Sequence, residues 1–325
     1  MARMLLLAAS GVLAIYVPTC VPPAVLPTVP AGDARIAELW EQPADLESQD
    51  LFYGPWGPER APDPEATYTF VEEKRGGVNP GMTVRDPAGR TWKVKQPPLV
   101  GRRAEGPIEV VLSRVLSAVG YHQPPVYYLR AFTVADPSGT YRTVGGRFRL
   151  NDPSLENVGE WSWQQNPFVG TRPYQGLLVI LLMFNSSDLK NSNNTLYELR
   201  GSPDGVERWY VVRDLGTALG GTGRVTPARG DVEAFERSRF IEGIEDGFVR
   251  FEYHGWHQEL IRGRITPADV RWASELLGEL TDTQWHEAFL AGGYDEAVAA
   301  RFIRQLQAKI REGSALGRDT GGPKS

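Results

Sequence analysis

The chain has 325 residues, 40 acidic and 35 basic side chains, a formal charge of −5 and 41% hydrophobic residues. This composition excludes a disordered polyelectrolyte and a globally basic nucleic-acid surface, and it leaves ample material for a core. Cys20 is the one cysteine, so an intramolecular disulfide and a Cys-based zinc site are excluded as well.

Residues 1–30 read as a targeting segment. Arg3 gives a weak basic start, and Leu5 to Val17 is apolar over signal-peptide length, short for a membrane span. Pro18, Pro22, Pro23 and Pro27 then stop any helix. Three outcomes fit: a cleaved signal, lipidation at Cys20 as in bacterial lipoproteins, or a retained membrane anchor. Val17-Pro18-Thr19 departs from the usual small-residue sequence before a lipidated cysteine. The expected location is exported: periplasmic, cell-surface or membrane-anchored through the N-terminus. Residues 31–66, rich in Pro, Gly and aromatics after a short helix at 34–40, are expected to form an irregular arm on the domain surface.

Residues 67–98 carry the alternation of strands. Within them, Arg75 to Gly81 reads RGGVNPG, and Gly76, Gly77 and Gly81 would let backbone N–H groups approach phosphate oxygens. In Trp92-Lys93-Val94-Lys95 the two lysines share a strand face. A helix is expected over 107–120, with Pro107 in its first turn, Gly120 after its end and Glu109 near its start. Residues 121–150 return to a hairpin around Asp136-Pro137-Ser138-Gly139, and 151–172 read as loop.

Pro173 opens a helix that includes the apolar run Leu177 to Phe184. A polar loop, NSSDLKNSNN, follows from Asn185 to Asn194, then two strands that end in Asp214-Leu215-Gly216. The chemistry suggested is phosphoryl transfer: a carboxylate within reach of an attacking hydroxyl, and oxygen donors for a divalent cation. Asp188 and Asn193 lie five residues apart on the loop, and Asp214 follows on the hairpin. Residues 231–243 are expected to be helical and Phe248 to Trp256 extended. Capping boxes at Thr266 and Thr281, and a cap at Asp295, announce three helices, the last running to about Arg311. His254-Gly255-Trp256-His257 lacks metal-site spacing, and neither a G-x-S-x-G elbow nor a Walker A sequence is present.

This order resembles the protein-kinase-like superfamily in its atypical, divergent members: strand lysine, helix glutamate, Asp-x₄-Asn loop and Asp-x-Gly hairpin end. The resemblance implies an α+β, two-lobed fold. Residues 67–150 would form an N-lobe antiparallel sheet with one helix, 151–312 the hinge and a mostly helical C-lobe, and 313–325 a disordered tail. It implies ATP or another nucleotide with Mg²⁺ or Mn²⁺, and transfer to a hydroxyl of a protein or small molecule. Lys95, in preference to Lys93 on the same face, would hold the phosphates, Glu109 would orient Lys95, and Gly76, Gly77 and Gly81 would cover the nucleotide. Asp188 would take the hydroxyl proton, Lys190 would neutralise the transferring group, and Asn193 and Asp214 would bind the metal. Asn191 and Asn194 are alternative ligands if the loop's register differs. The His-Arg that precedes the catalytic Asp in kinases is Ser186-Ser187 here, and no A-P-E follows Gly216. Two alternatives stay open: a pseudokinase or binding module of the cell envelope, and an unrelated α+β envelope protein whose Asp/Asn loop is structural or cation-binding.

Overall fold

The computed structural model describes residues 33–74, 79–98, 105–201, 207–224 and 228–317. The targeting segment with Cys20, the glycines Gly76 and Gly77, and the residues after 317 lie outside these. Among the described residues no helix is long and apolar enough to cross a membrane.

The architecture is mixed α+β. After a short helix α1 (Asp33–Ile36) come β1 (Thr67–Glu73), β2 (Gly81–Arg85), β3 (Thr91–Lys95), helix α2 (Glu105–Ala118), β4 (Val126–Asp136) and β5 (Gly139–Leu150). These five strands do not form the purely antiparallel sheet expected from the sequence. They close into a barrel in the order β1-β2-β3-β5-β4, sealed by a parallel pairing of Thr67–Ala135 type: Thr67 opposite Thr133, Tyr68 opposite Val134 and Thr69 opposite Ala135. The reason lies in the long β4–β5 hairpin. A Cβ on Gly145 would sit 1.6 Å from the Leu129 carbonyl oxygen, so glycine lets the two strands press together there. The curled far half of β4 then meets β1. Alternation fills the interior with Tyr68, Trp92, Phe132 and Phe148, packed edge to face.

The second part has its own, larger core. β6 (Leu155–Gly159), helix α3 (Arg172–Met183), β7 (Asn194–Leu199) and β8 (Arg208–Val212) follow. β6 falls where a loop was expected. Its residues are nearly all exposed, so it joins β7 as an edge strand through backbone pairing and has no apolar alternation to betray it. α3 is buried on every side from Tyr174 to Met183, as its uninterrupted apolar run requires. Beyond it lie α4 (Val232–Arg237), the hairpin β9 (Ile241–Glu245) and β10 (Phe248–Phe251), then α5 (Pro267–Gly278), α6 (Asp282–Ala291) and α7 (Glu296–Ala315). The expected helix at 231–243 stops at Arg237 and gives way to β9. Both capping boxes form, Thr266 with Asp269 and Thr281 with Gln284, each worth about 1 kcal/mol. The expected tail from 313 is corrected in its first residues, because α7 continues to Ala315. A Cβ on Gly313 would lie 2.1 Å from Ser274 Oγ, so the glycine is where α7 and α5 touch.

The arm that precedes the barrel is packed. Arg114, on α2, lies under Trp56 and Tyr127 at 4.8 and 5.0 Å and donates through Nε to the Phe52 carbonyl. His122 stacks on Trp209 and meets the Ala37 carbonyl at 2.6 Å.

Lys309 of α7 is buried and fastens the loop after α3. Its ammonium donates to the Met183 carbonyl at 3.1 Å and to Asn185 Oδ1 at 2.8 Å, and it sits 4.2 Å from the Phe235 ring centre. Burial pushes the Lys309 ammonium down to about 7. Between that value and the ordinary lysine range the unfolded chain binds the extra proton and the folded chain does not, so stability rises with pH across this window. Urea unfolding is expected to show the wild type more stable at pH 9 than at pH 7 by about 1–3 kcal/mol, with a much smaller rise in Lys309→Met. An equal slope in the two proteins would contradict this account of Lys309.

Candidate functional site

Strand alternation builds the site. In β3, Trp92 and Val94 point into the barrel, so Lys93 and Lys95 point outward. β5 pairs antiparallel beside it, with Arg147 opposite Lys95 and Arg149 opposite Lys93. Four cationic side chains therefore share one outer face. The Arg-Phe-Arg alternation in β5 carried this signal in the sequence, and sequence reasoning missed it.

α2 supplies the opposite charge. Lys95 Nζ lies 2.5 Å from Glu109 Oε1 and 2.6 Å from Glu105 Oε2. Glu105 was missed as well, although it sits one helical turn before Glu109 and so on the same face. The other oxygen of Glu109 accepts from Arg147 Nε at 2.8 Å, and Arg149 stands 3.8 Å away. Burial alone would push the Glu109 carboxyl up. The Arg147 guanidinium, then Lys95 and Arg149, overcome that and hold it well below the usual carboxylate range. Glu105 also accepts from Asn79 Nδ2 at 2.5 Å and pairs with Arg229.

Asp214 closes the group from the far side. Its Oδ1 is 2.9 Å from Lys95 Nζ, while about half of its side chain stays open to solvent. Carboxylate oxygens of Glu105, Glu109 and Asp214 lie within 4.8 Å of one another, around the Lys95 ammonium. The loop is tied to this point through the main chain. Arg213 N and Asp214 N both donate to the Asn193 carbonyl, at 2.8 and 3.3 Å. Asn193 Nδ2 donates to the Asp188 carbonyl at 2.6 Å, and among the described residues no group donates to its side-chain oxygen.

A cleft of about 510 Å³ runs between the sheet and the loop, and Lys95, Asn193 and Asp214 all line it. Asp188 does not. Its Oδ1 lies 2.9 Å from Lys190 Nζ, off the hydrogen-bond direction, and Lys190 in turn sits over the Trp256 ring at 4.7 Å. Gly81 opens β2 opposite Lys95 and is a ladder residue, its carbonyl accepting from Lys74 N; it is not part of the cleft lining. Asn191 and Asn194 turn away from the cleft. Asn191 accepts from Trp163 N and donates to Gln164, and Asn194 donates to the Trp161 carbonyl. They hold the loop to the 161–164 segment.

No protein-family model matches the chain, and no curated protein matches it. Among solved structures the chain is similar to the Helicobacter pylori proinflammatory kinase CtkA, at 12% identity and a TM-score of 0.37, over 77% of this chain and 98% of that one. A likeness this loose carries no argument about function.

Glu109 is the buried counter-charge of three cations, and removing one member of such a group leaves charges uncompensated. Glu109→Gln is expected to lose about 3–5 kcal/mol in urea unfolding at pH 7. The loss should shrink under acid conditions. A carboxyl held below its ordinary value contributes fully above that value and loses its contribution as pH falls from there through the lowered one. A loss below about 1 kcal/mol at pH 7 would contradict the bridging role.

Proposed function

We propose that the cleft is the site of a kinase-like phosphotransferase, on a two-lobed fold in which the barrel with α2 is the smaller lobe. The observation that carries the reading is the shared Lys95 ammonium. It is held by Glu109 at 2.5 Å and by Asp214 at 2.9 Å, two residues that lie far apart in sequence and in different elements. A lysine fixed in this way is aimed at the space beside Asp214, where it would meet phosphate oxygens. Glu109 is then a positioning residue and Lys95 the phosphate-binding one.

Asp214, half exposed, and Asn193, with its side-chain oxygen unused, offer the hard oxygen donors that Mg²⁺ or Mn²⁺ prefers. These two residues would hold the cation, which when bound would draw charge from the phosphate oxygens of a nucleotide such as ATP. In the transfer the acceptor hydroxyl oxygen bonds to the terminal phosphorus. The P–O bond to the rest of the donor breaks, and the leaving oxygen keeps the electron pair. Asp188 takes the hydroxyl proton, and Lys190 beside it offsets the added charge. Catalysis of this kind is positioning and electrostatics.

One observation favours a second reading, a binding module without turnover: Asp188 is paired with Lys190 and stands outside the cleft lining. The same experiment addresses both. Thermal melting of the full chain with Mg²⁺ and ATP is expected to show stabilisation of about 2.7 kcal/mol at a hundredfold excess over Kd, lost in Asp214→Asn. Absence of a shift in a folded wild type would sink the reading of the cleft as a nucleotide site. A shift without any loss of the donor's terminal phosphate to an added hydroxyl acceptor would favour the binding module.

A further inference from the structure

The walls of the cleft are unlike a pocket for a nucleobase. Cofactor and ligand pockets are mostly apolar, with a few placed polar groups. Here the side chains that the sheet turns outward are Thr83, Lys93, Lys95, Arg147 and Arg149, while their neighbours Val84, Trp92, Val94 and Phe148 belong to the barrel interior. Met82 and Val94 border the cleft, and both are packed with the barrel core. Among the described residues, none of those that line it is aromatic.

The charge of the lining points the same way. Lys95 and Arg147 are matched by Glu105, Glu109 and Asp214. A second cationic group is matched only at its edge. Among the described residues no carboxylate lies within ion-pair distance of Lys93 or Arg213, and Arg149 reaches Glu109 at 3.8 Å. Arg149 Nε is buried without a hydrogen-bond partner. Its guanidinium is pushed down to about 9 by burial and by the nearby cations Arg147 and Arg213. Glu72 and Glu73 stand at the β1 rim, where both are exposed. A nearly buried arginine beside two further cations is a costly arrangement unless an anion completes it.

Lys93 and Arg149 sit two residues along their strands from the Lys95–Arg147 pair, a step of about 7 Å. That is room for more than one phosphate group. We propose that the cleft binds its donor through phosphates alone, with the second cationic group taking the outer phosphates, and that the donor class is a linear inorganic polyphosphate. This rests on the phosphotransferase reading above and adds the donor to it. The terminal P–O–P link breaks, the bridging oxygen stays with the shortened chain together with its electron pair, and the acceptor's hydroxyl proton goes to Asp188.

The test is titration calorimetry of the full chain in Mg²⁺ with sodium tripolyphosphate, ATP, GTP and adenosine. The expected result is tripolyphosphate binding at least as tightly as ATP, ATP and GTP within about threefold of each other, and no heat from adenosine. Lys93→Gln and Arg213→Gln remove cations that are exposed or half-buried, so both should fold, and each should weaken tripolyphosphate by roughly tenfold. ATP binding ten times more tightly than both tripolyphosphate and GTP would overturn the proposal, because a base would then be read, and would leave the phosphotransferase reading standing. Unchanged tripolyphosphate affinity in both variants would overturn it in the same way. Silence from tripolyphosphate and ATP alike, with a folded protein, would overturn both.

Discussion

One ammonium group joins the parts of this molecule. Lys95 leaves the barrel from β3 and meets two carboxylates of α2 and one that follows β8. Each of these charges would be expensive to bury alone, by several kcal/mol. Together Lys95, Arg147 and Arg229 face Glu105, Glu109 and Asp214, three cations against three anions, with Arg149 at the edge of the group. The group is tolerable inside the protein because it is complete, and it is complete only while barrel, helix and hairpin end stay in register. This explains why α2 is buried along most of its length. It is wedged between the barrel and the helical part, and Glu109 must arrive from inside.

The same constraint reaches the Asp188 loop through the backbone. Asn193 accepts from Arg213 and Asp214, so the loop's end moves with Asp214. The loop's start is fixed separately. Ser187 N donates to the Thr217 carbonyl, and the Ser187 carbonyl accepts from Trp256 N and Tyr253 Oη. Lys309 holds Asn185 from α7. A polar loop of this composition would be solvated and loose by itself. Here both ends are tied to buried groups, which leaves Asp188 and Lys190 between two fixed points.

Much of this was legible in the chain, and the misses have physical causes. The elements that carry Lys95, Glu109 and Asp214 were readable because each has a strong local signal, an alternating strand, a Pro-started helix and a hairpin end; that the three side chains meet was implied only by the resemblance. Both capping boxes were readable because a cap is a contact between residues three apart. Barrel closure was not, since it depends on long-range pairing of β1 with β4, and no local pattern encodes which edges meet. β6 was missed for the opposite reason: its pairing is real but its side chains are solvated, so it leaves no alternation. Asn191 and Asn194 looked equivalent to Asn193 in the sequence. What separates them is the pair of tryptophans at 161 and 163, which bind the first two from thirty residues away.

Barrel closure also determines what kind of ligand the outer face can take. A five-stranded barrel filled by Tyr68, Trp92, Phe132 and Phe148 has no interior left for a cofactor. Every second residue must serve that interior, so the residues between them are committed to the outside. With Trp92 and Val94 inward, Lys93 and Lys95 are outward; with Phe148 inward, Arg147 and Arg149 are outward. An apolar slot on this face would require a break in the two-residue period of β3 or β5, and the pairing of β3 with β5 runs unbroken from Trp92 opposite Leu150 to Lys95 opposite Arg147. The packing that stabilises the barrel thus makes the cleft cationic, and α2 neutralises only the half of it nearest Asp214.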